Sequence, residues 1–588
     1  MELALSYVDQ ILIFAIFAVS LNLLLGYTGQ ISVAHAAFGA IGGYSIGYLL
    51  LNNHVPVLAG LGVAIVAAGL VGVIVGIPAL RLSAEWLILL SLAAQTIIIA
   101  LVSTSSAFGG TYGLQNIVGL SVFGHSLTNP SDRLPLFLVC FLIVYAICWR
   151  MGESPYGRVL RGIREDERAC RSLGKNVFAY KLMVFGVTAA MAGVAGALLA
   201  IDSSLAAPAL FGFDQSTTII AMVILGGMGS LPGSVIGAAL LVLLGPFFER
   251  VLNINGDVTF LWRLIAYGLV LVLVMLLRPQ GLLPDPGAPL RWLRGRRARA
   301  GGGSAEPVLA DTALPSATAA AAAAPAALPA LERNGGDIVL EVSDLSKHFG
   351  GIIAADGLAF ALRRGEIAAL VGPNGAGKTT VFNLLTGAIR FDSGSVVLHG
   401  HEIGGMTPNQ VARRGMVRSF QDVRIFPFMS ALENVMLAFQ EQPGEHLASL
   451  FGRPGVTAKV EREVRERAVE WLRFVGMDAL AAMPAGALGF GQQKLVALAR
   501  VLATEADVLL LDEPASGIDQ QWVDVMLGLI DRVRAAGRTV CIVEHNLHVV
   551  ERLADHIYFM ELGRITARGS FDELTAMPNL AKAYFGTA

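Results

Sequence analysis

Residues 55–80 form an apolar run without a charged side chain, VPVLAGLGVAIVAAGLVGVIVGIPAL. A helix of this length crosses the roughly 30 Å hydrocarbon core of a bilayer. Such a run excludes a chain that is soluble over its whole length, and the hydrophobic share of 54% supports the same conclusion. The sequence therefore predicts an α-helical membrane domain.

Similar apolar runs lie on both sides of this one. They occupy 10–27, 31–51, 86–103, 134–149, 182–203 and 261–277, and two weaker, glycine-rich segments occupy 216–231 and 233–249. We expect about eight or nine crossings, with re-entrant segments as the alternative for the two weaker ones. No basic region precedes the first run, so we interpret it as a retained span and not as a cleaved signal.

Basic residues indicate the orientation of these spans. Arg81 and Arg133 are the only arginines or lysines before position 150, whereas the loop 150–181 contains eight, and further arginines follow position 278. The positive-inside rule places the loop and everything after 278 in the cytoplasm. The formal net charge of −2 gives no indication of a nucleic-acid partner.

The composition changes again after the last apolar run. Residues 284–336 are mostly alanine, proline and glycine, and we interpret them as a linker with a reach of roughly 40 Å. The expected domains are thus a membrane domain at 1–283, this linker, and a soluble α/β domain at 337–588, where short apolar strands alternate with helical stretches.

A glycine-rich loop, GPNGAGKTT, lies between an apolar strand and a helical run in the soluble domain. It fits the P-loop pattern G-x-x-x-x-G-K-S/T in its strand–loop–helix context, although a chance glycine loop is the alternative. Backbone amides would surround phosphate oxygens, Lys378 would reach the β- and γ-phosphates of ATP, and Thr379 would ligate Mg²⁺. The expected ATP contacts are Gly372, Pro373, Asn374, Gly375, Ala376, Gly377, Lys378, Thr379 and Thr380.

Two carboxylates follow a later buried strand, DVLLLDEP at 507–514. Asp512 would hold Mg²⁺, directly or through water, and Glu513 would orient and deprotonate the attacking water. A solvated pair of acids is the alternative, but the aliphatic strand and the preceding P-loop disfavour it.

Further segments resemble those of ATP-binding cassette (ABC) ATPases, and the resemblance covers 337–588. It implies that Gln421, in RSFQDVRIFP, contacts Mg²⁺ and senses the membrane subunit. It also implies that Asp519 lies at the dimer contact, that His545 in IVEHN hydrogen-bonds near the γ-phosphate, and that Phe349 stacks on adenine. A core position is the alternative for Phe349.

The signature segment departs from the family pattern L-S-G-G-Q. It reads LGFGQ here, from Leu488 through Gly489, Phe490 and Gly491 to Gln492, so that glycine replaces the usual serine. The resemblance implies that this segment caps ATP bound by the opposite ATPase domain. The site that it completes would lack one hydroxyl donor, a loss of about 1.5–3 kcal/mol.

The membrane domain resembles the permeases of branched-chain amino acid importers, on SLNLLLGYTGQISVAHAAFGAIGGYS (20–45), ILGGMGSLPGSVIGA (224–238), RPQGLL (278–283) and SPYGRVLRGIREDERACRSLGKN (154–176). The resemblance implies that the polar segment 161–175 docks on the ATPase domain and couples it to the membrane helices. The expected coupling residues are Gly162, Glu165, Asp166, Arg168 and Gly174. An ordinary solvated loop is the alternative.

Together these resemblances imply a natural fusion of one permease with one ATPase that uses ATP and Mg²⁺ to import branched-chain amino acids. The implied partners are a second permease, a second ABC ATPase, an extracytoplasmic solute-binding protein and membrane lipid, in the bacterial cytoplasmic (inner) membrane. Urea, amides or aromatic acids are alternative solutes, and an ABC exporter half or a regulatory ATPase are alternative functions. Asn22, Gln30, His35 and Gln95 are candidate pathway residues, with interhelical hydrogen bonding as the alternative.

Overall fold

The computed structural model describes residues 2–53, 55–82, 84–117, 121–122, 125–251 and 337–577, with a few positions between 265 and 283. The predicted linker at 284–336 lies outside the described residues. The chain divides into two compact units. The first comprises 1–164 and 177–308, and the second comprises 165–176 and 309–588.

The first unit is helical. Its described helices are α1 (Glu2–Thr28), α2 (His35–Asn53), α3 (Val57–Ala79), α4 (Ala84–Thr104), α5 (Pro130–Gly152), α6 (Pro155–Glu165, whose last residue belongs to the second unit), α8 (Val177–Ser203), α9 (Phe213–Gly226) and α10 (Leu231–Val251). Two short antiparallel pairs join β1 (Leu114–Gln115) to β4 (Leu205–Ala206) and β2 (Ser121–Val122) to β3 (His125–Ser126).

Six stretches of the described residues are long and apolar enough to cross a membrane by length and composition. They are Glu2–Thr28, Val57–Ala79, Glu85–Thr104, Pro130–Gly152, Val177–Ser203 and Pro208–Gly226. Eight or nine crossings were predicted. The predicted span 31–51 is helix α2, which is not among the six, and most of 261–277 lies outside the described residues.

Glycines allow α2 and α8 to pack with their backbones in contact. A Cβ on Gly42 would lie 1.9 Å from the carbonyl oxygen of Gly193, and one on Gly196 would lie 1.9 Å from that of Gly39. Both distances are far below van der Waals contact. These positions accept only glycine, as expected for helices that associate by close packing in a membrane.

The second unit contains two sheets. Six strands pair in the order β10 (Met416–Arg418), β11 (Val508–Asp512), β12 (Thr539–Val543), β7 (Ile367–Val371), β13 (His556–Glu561) and β14 (Arg564–Gly569). All neighbours in this sheet are parallel except β13 and β14. An antiparallel sheet has the order β6 (Ile352–Arg363), β5 (Ile338–Phe349), β8 (Ser393–Leu398) and β9 (His401–Glu402).

Helices of the second unit surround these sheets. They are α7 (Glu167–Ser172), α11 (Lys378–Leu385), α12 (Pro408–Arg413), α13 (Ala431–Met436), α14 (Leu447–Gly452), α15 (Pro454–Phe474), α16 (Phe490–Leu502), α17 (Gln520–Ala535), α18 (Leu547–Leu553) and α19 (Phe571–Thr575). Strands β7, β11 and β12 are buried at every residue. Because parallel strands end at the same edge of a sheet, the loops after these three converge.

The polar segment predicted at 161–175 is divided between two helices. Helix α6 ends at Glu165 and α7 starts at Glu167. Asp166 between them has an extended backbone (φ −152°), and its carboxylate accepts a hydrogen bond of 2.9 Å from the Ala169 amide. Asp166 is therefore the N-cap of α7, and aspartate in this role ends the preceding helix.

Candidate active site

The loop that follows β7 can be built only with glycine at two positions. Gly372 and Gly377 have φ angles of +152° and +100°, and a Cβ on them would lie 2.0 Å from the Met560 carbonyl oxygen and 2.2 Å from that of Ala354. Gly375 also has a positive φ, +84°, but open space surrounds it. The loop is thus fixed against the protein at its ends and accessible to an anion in its middle.

Lys378 starts α11 and bends back over the loop. Its Nζ donates to the carbonyl oxygens of Gly372 (2.7 Å) and Pro373 (2.9 Å). Burial lowers the pKa of its ammonium group, while the nearby carboxylates of Glu513 and Asp512 oppose this shift. Thr379 and Thr380 follow in the first turn of the helix. A cation and two hydroxyls are therefore presented beside the phosphate-sized loop.

Asp512 ends β11 and is buried, with 1% of its surface exposed. Its Oδ2 accepts a hydrogen bond of 2.5 Å from Nη2 of Arg418, whose Nη1 donates to Asn383 Oδ1. Burial raises the pKa of the Asp512 carboxyl, and the Arg418 guanidinium acts in the opposite direction. Sequence reasoning missed Arg418, although it stands three residues before Gln421 in a segment that was singled out.

The other carboxylate oxygen of Asp512, Oδ1, is buried and makes no hydrogen bond to the described residues. Thr379, Gln421 and Asp512 line one cavity of about 580 Å³. Hydroxyl, amide and carboxylate oxygens are the ligands that Mg²⁺ prefers. These side chains fit a magnesium ion, which would neutralise charge on the phosphates of a bound nucleotide.

Glu513, Gln421 and His545 come together beside this cavity. Gln421 Nε2 donates to Glu513 Oε2 at 3.0 Å, and His545 Nδ1 lies 3.6 Å from Glu513 Oε1. Glu513 has a φ of +47°, an uncommon conformation for a residue with a side chain. Its amide donates to the Val543 carbonyl on β12. A carboxylate held in this way can act as a general base towards a water in the cavity.

Lys494 of α16 fixes the turn that carries Glu513. Its buried Nζ donates to the carbonyl oxygens of Glu513 (3.0 Å), Pro514 (3.3 Å) and Ser516. Burial lowers the pKa of this ammonium group. Sequence reasoning missed Lys494, because nothing in its neighbourhood of the sequence indicates which carbonyls it would meet.

The signature segment forms the start of α16. Leu488 is buried, Gly489 is the N-cap and Phe490 is half exposed. Gln492 Oε1 accepts a hydrogen bond of 3.0 Å from the Gly489 amide. A Cβ on Gly491 would lie 2.9 Å from the ring of Trp522, so this glycine packs against α17.

Two further predicted residues lie at the surface of the second unit. Asp519 is exposed at the N-cap of α17, and its side chain caps no amide there. Phe349 ends β5 with 45% of its surface exposed, and Lys347 Nζ lies 5.4 Å from its ring centroid. Phe349 is therefore outside the core, and both residues are accessible to a nucleotide or a second chain.

Residues 165–176 pack within the second unit, next to the segment that follows Gln421. Arg424 Nη1 donates to Asp166 Oδ2 at 2.8 Å, and the Phe428 amide donates to Glu165 Oε2 at 3.3 Å. Arg413 Nε donates to the Gly174 carbonyl at 3.0 Å. Of the other predicted coupling residues, Arg168 lines the same 580 Å³ cavity as Asp512, and Gly162 belongs to the first unit.

The strongest contact of this segment was not predicted. Lys175, 2% exposed, forms an ion pair of 2.5 Å with Glu445 and donates to the Phe439 carbonyl at 2.7 Å. Nearby Arg500 is fully buried, and burial lowers its pKa to about 10. A basic residue between glycine and asparagine, in LGKN, was a weak signal that could have directed attention to Lys175.

The structure separates the four polar candidates of the membrane helices. The Asn22 side-chain amide donates to the Ser230 carbonyl and Ser234 Oγ and accepts from the Gly229 amide. The Gln95 side-chain amide accepts from the Ala37 amide and donates to the Phe211 carbonyl. Among the described residues, the amide group of Gln30 has no hydrogen-bonding partner, and the His35 ring has a side-chain partner at Nε2 and none at Nδ1. Asn22 and Gln95 thus have structural roles.

Comparison with known proteins gives a family match for each half of the chain. Residues 3–277 match the family described as branched-chain amino acid transport system / permease component, and residues 355–516 match the ABC transporter family. The chain is 38% identical over 252 residues to the high-affinity branched-chain amino acid transport ATP-binding protein BraF of Pseudomonas aeruginosa. The aligned residues cover 42% of this chain and 98% of that protein.

The chain belongs to the ABC transporter family.

Other proteins are also similar to the ATPase half of this ABC transporter. LivG of Escherichia coli, named as a high-affinity branched-chain amino acid transport ATP-binding protein, is 34% identical over 251 residues and covers 42% of this chain and 98% of its own. A solved ATP-binding cassette of an ABC transporter in its ADP conformation is 31% identical, covers 42% of this chain and 99% of its own, and has a TM-score of 0.38.

This ABC transporter is a fusion in which one chain carries a permease domain and an ATPase domain. The permease domain makes it a membrane protein, and the ATPase domain binds nucleotide and couples ATP hydrolysis to transport.

Proposed function

We propose that the chain imports branched-chain amino acids across the bacterial cytoplasmic (inner) membrane, with its ATPase domain in the cytoplasm. One observation carries the proposal: each half is independently similar to a component of branched-chain amino acid transport systems. Two unrelated halves would not be expected to indicate the same kind of solute.

In the proposed assembly, this chain supplies one permease and one ATPase. A second permease, a second ABC ATPase and an extracytoplasmic solute-binding protein complete it, and the permease domain crosses the lipid bilayer eight or nine times. The 165–176 segment supports the proposal that this chain supplies both subunits, because the segment joins the permease sequence at both ends and packs among ATPase residues.

In the proposed cycle, Phe349 stacks on adenine, and the 372–380 loop and Lys378 bind the phosphates. Thr379, Asp512 and Gln421 would hold Mg²⁺.

ATP favours a closed pair of ATPase domains because it binds that state better. Arg424 and Glu445 of the ATPase domain pass the closure to the 165–176 segment through Asp166 and Lys175. Glu513, held by Gln421 and assisted by His545, then takes a proton from the attacking water, and hydrolysis reopens the pair.

Uptake of radiolabelled leucine tests this function. Cells carrying the complete system would be compared with cells carrying Glu513→Gln, which keeps the shape of the side chain and loses the base. We expect leucine uptake and ATP hydrolysis to fall by about 10²-fold or more, in the range of general-base removal. Glu551→Gln, an exposed glutamate on α18, is the matched control and should behave as wild type.

The result also separates the alternative functions. Cells that take up urea, an amide or an aromatic acid instead of leucine would keep the mechanism and change the solute. Outward movement of solute would indicate an exporter half, and ATP hydrolysis without movement of any solute would indicate a regulatory ATPase.

A further inference from the structure

Helices α1 and α2 are joined by a non-helical segment that runs back into the helix bundle. Helix α1 ends at Thr28 and α2 begins at His35. The His35 ring lies beside Ser20, with 2.8 Å between His35 Nε2 and Ser20 Oγ. Ser20 precedes the end of α1 by eight residues, which is about 12 Å along a helix. The first residue of α2 therefore lies beside the middle of α1 and not beside its end.

The backbone of this break and of the first turn of α2 is stabilised by side chains from other helices. The Val33 amide donates to Ser91 Oγ (3.0 Å), the Ala36 amide to Ser216 Oγ (3.2 Å) and the Ala37 amide to Gln95 Oε1 (3.0 Å). Non-helical backbone at membrane depth occurs where protein buries it or where it lines a cavity. These hydrogen bonds therefore make the break a defined and stabilised part of the fold.

The side chains of the break, in contrast, are incompletely paired. Gln30, Ser32 and His35 are 3%, 1% and 1% exposed. In the described part of the chain, both amide atoms of Gln30, the Ser32 hydroxyl and His35 Nδ1 make no hydrogen bond. Buried polar atoms without partners are costly, and several within six residues of one another indicate that something else pairs with them.

The hydrogen bonds of Ser20 define what His35 can bind. A serine hydroxyl has one hydrogen, and we assign that of Ser20 to the Phe17 carbonyl oxygen, which lies 2.9 Å from Ser20 Oγ. With this assignment, the Ser20 oxygen accepts from Nε2–H of His35 at 2.8 Å. The neutral imidazole consequently presents Nδ1 as an acceptor, which requires an N–H or O–H donor as its partner.

We propose that the break from Gly29 to His35 is the solute-contact site of the permease half. His35 Nδ1 accepts an N–H of the solute, and Gln30 and Ser32 donate to its carboxylate. This inference rests on the proposed function, in which the N–H belongs to the ammonium group of a branched-chain amino acid.

Two substitutions of His35 separate this role from a structural one. Asparagine places a polar atom near the position of Nδ1, whereas glutamine places one near Nε2. His35→Asn therefore keeps the solute contact and loses the Ser20 bond, and His35→Gln does the reverse. The readouts are leucine uptake by cells with the complete system and ATP hydrolysis by the purified complex with leucine-loaded binding protein.

We expect His35→Gln to lower leucine uptake about tenfold or more, and to lower stimulated ATP hydrolysis by a smaller factor than uptake. His35→Asn should retain about half of the uptake or more. Gln30→Met, which keeps the length of the side chain without its polar atoms, should lower uptake as His35→Gln does, with no loss of folded protein in detergent extracts.

Wild-type leucine uptake by the His35→Gln variant would overturn the proposal. Lower leucine uptake by the His35→Asn variant than by the His35→Gln variant would also overturn it. Equal loss of uptake and of ATP hydrolysis in both variants would also overturn it, since only a structural role predicts that result. Wild-type cells that take up urea and not leucine would reject the proposed solute alone. The same His35 pair measured with urea, also an N–H donor, would then decide the site.

Discussion

At the scale of single residues, Gly489 is the clearest departure from the ABC pattern, and the structure leaves room for the missing side chain. Its φ of −63° suits any residue, and a Cβ there would meet only Gln492 Oε1, at 3.7 Å. The glycine is therefore not required by the backbone or by packing.

Gly489→Ser should raise ATP hydrolysis in the assembled transporter, because a hydroxyl donor is returned to the site that this signature completes. An increase of about tenfold or more corresponds to one hydrogen bond to a charged group. Serine is also a better N-cap than glycine by a few tenths of a kcal/mol, so α16 should not lose stability. ATP turnover and thermal unfolding of the purified complex measure the two effects, and slower turnover would contradict the first.

Arg418→Met should destabilise the ATPase domain, because it leaves the Asp512 carboxylate buried without its ion pair. Removing one partner of a buried pair costs about 3–5 kcal/mol. The exposed Arg414→Met is the matched control, four residues away on the same segment. Thermal unfolding of the purified chain measures both variants, and equal midpoints would show that the pair contributes little.

Residue-level prediction from the sequence depended on how far apart the partners lie. The P-loop and the Asp512–Glu513 pair are local patterns, and the sequence was sufficient to find them. Arg418 and Asp512 are 94 residues apart, and Lys494 bonds carbonyls 19–22 residues away. No short pattern records such contacts. The Arg418–Asp512 pair forms when strands β10 and β11 come side by side, and the Lys494 contacts form when α16 packs next to the turn after β11.

At the scale of elements, the charged side chains of the 165–176 segment, within an otherwise apolar permease sequence, form contacts with ATPase residues. The sequence predicted a polar coupling segment but not its division at Asp166. Two charges of the segment pair with Arg424 and Glu445, and a carbonyl pairs with Arg413. The predicted apolar spans likewise overlap helices where they are described, although residues 31–34 and 227–230 inside two of these spans are not helical. Strand order could not be deduced from any single element.

Lys175→Met should uncouple ATP hydrolysis from uptake, because Glu445 would lose its buried ion pair with Lys175, at a cost of about 3–5 kcal/mol. The double variant Lys175→Met/Glu445→Leu should recover part of this loss, since both charges of the pair are then removed. Leucine uptake per ATP hydrolysed is the measurement.

Arg171→Met removes an exposed pair with Glu167 on the same helix and serves as the control, with an expected effect of about 0.3–0.5 kcal/mol. A double variant more impaired than Lys175→Met would show that the two side chains act independently.

At the scale of the whole molecule, the chain passes between its two units after residues 164, 176 and 308. The covalent connection is therefore not the only link between permease and ATPase sequences. A chain divided after Val308 and produced as two polypeptides should still be recovered as one complex, because 165–176 carries its ATPase contacts with it. Affinity purification through either half tests this, and Lys175→Met in the first half should lower the yield.

The same passage between units has a consequence for synthesis on the ribosome. Lys175 is made 270 residues before Glu445, which at 5–20 residues per second is a delay of about 14–54 s. During that time the membrane helices can insert while their polar segment has no ATPase surface to bind. A nascent chain of this protein therefore exposes a cluster of charges and an unpaired Lys175 until its ATPase domain emerges, and a chaperone that shields this segment would act only within that interval.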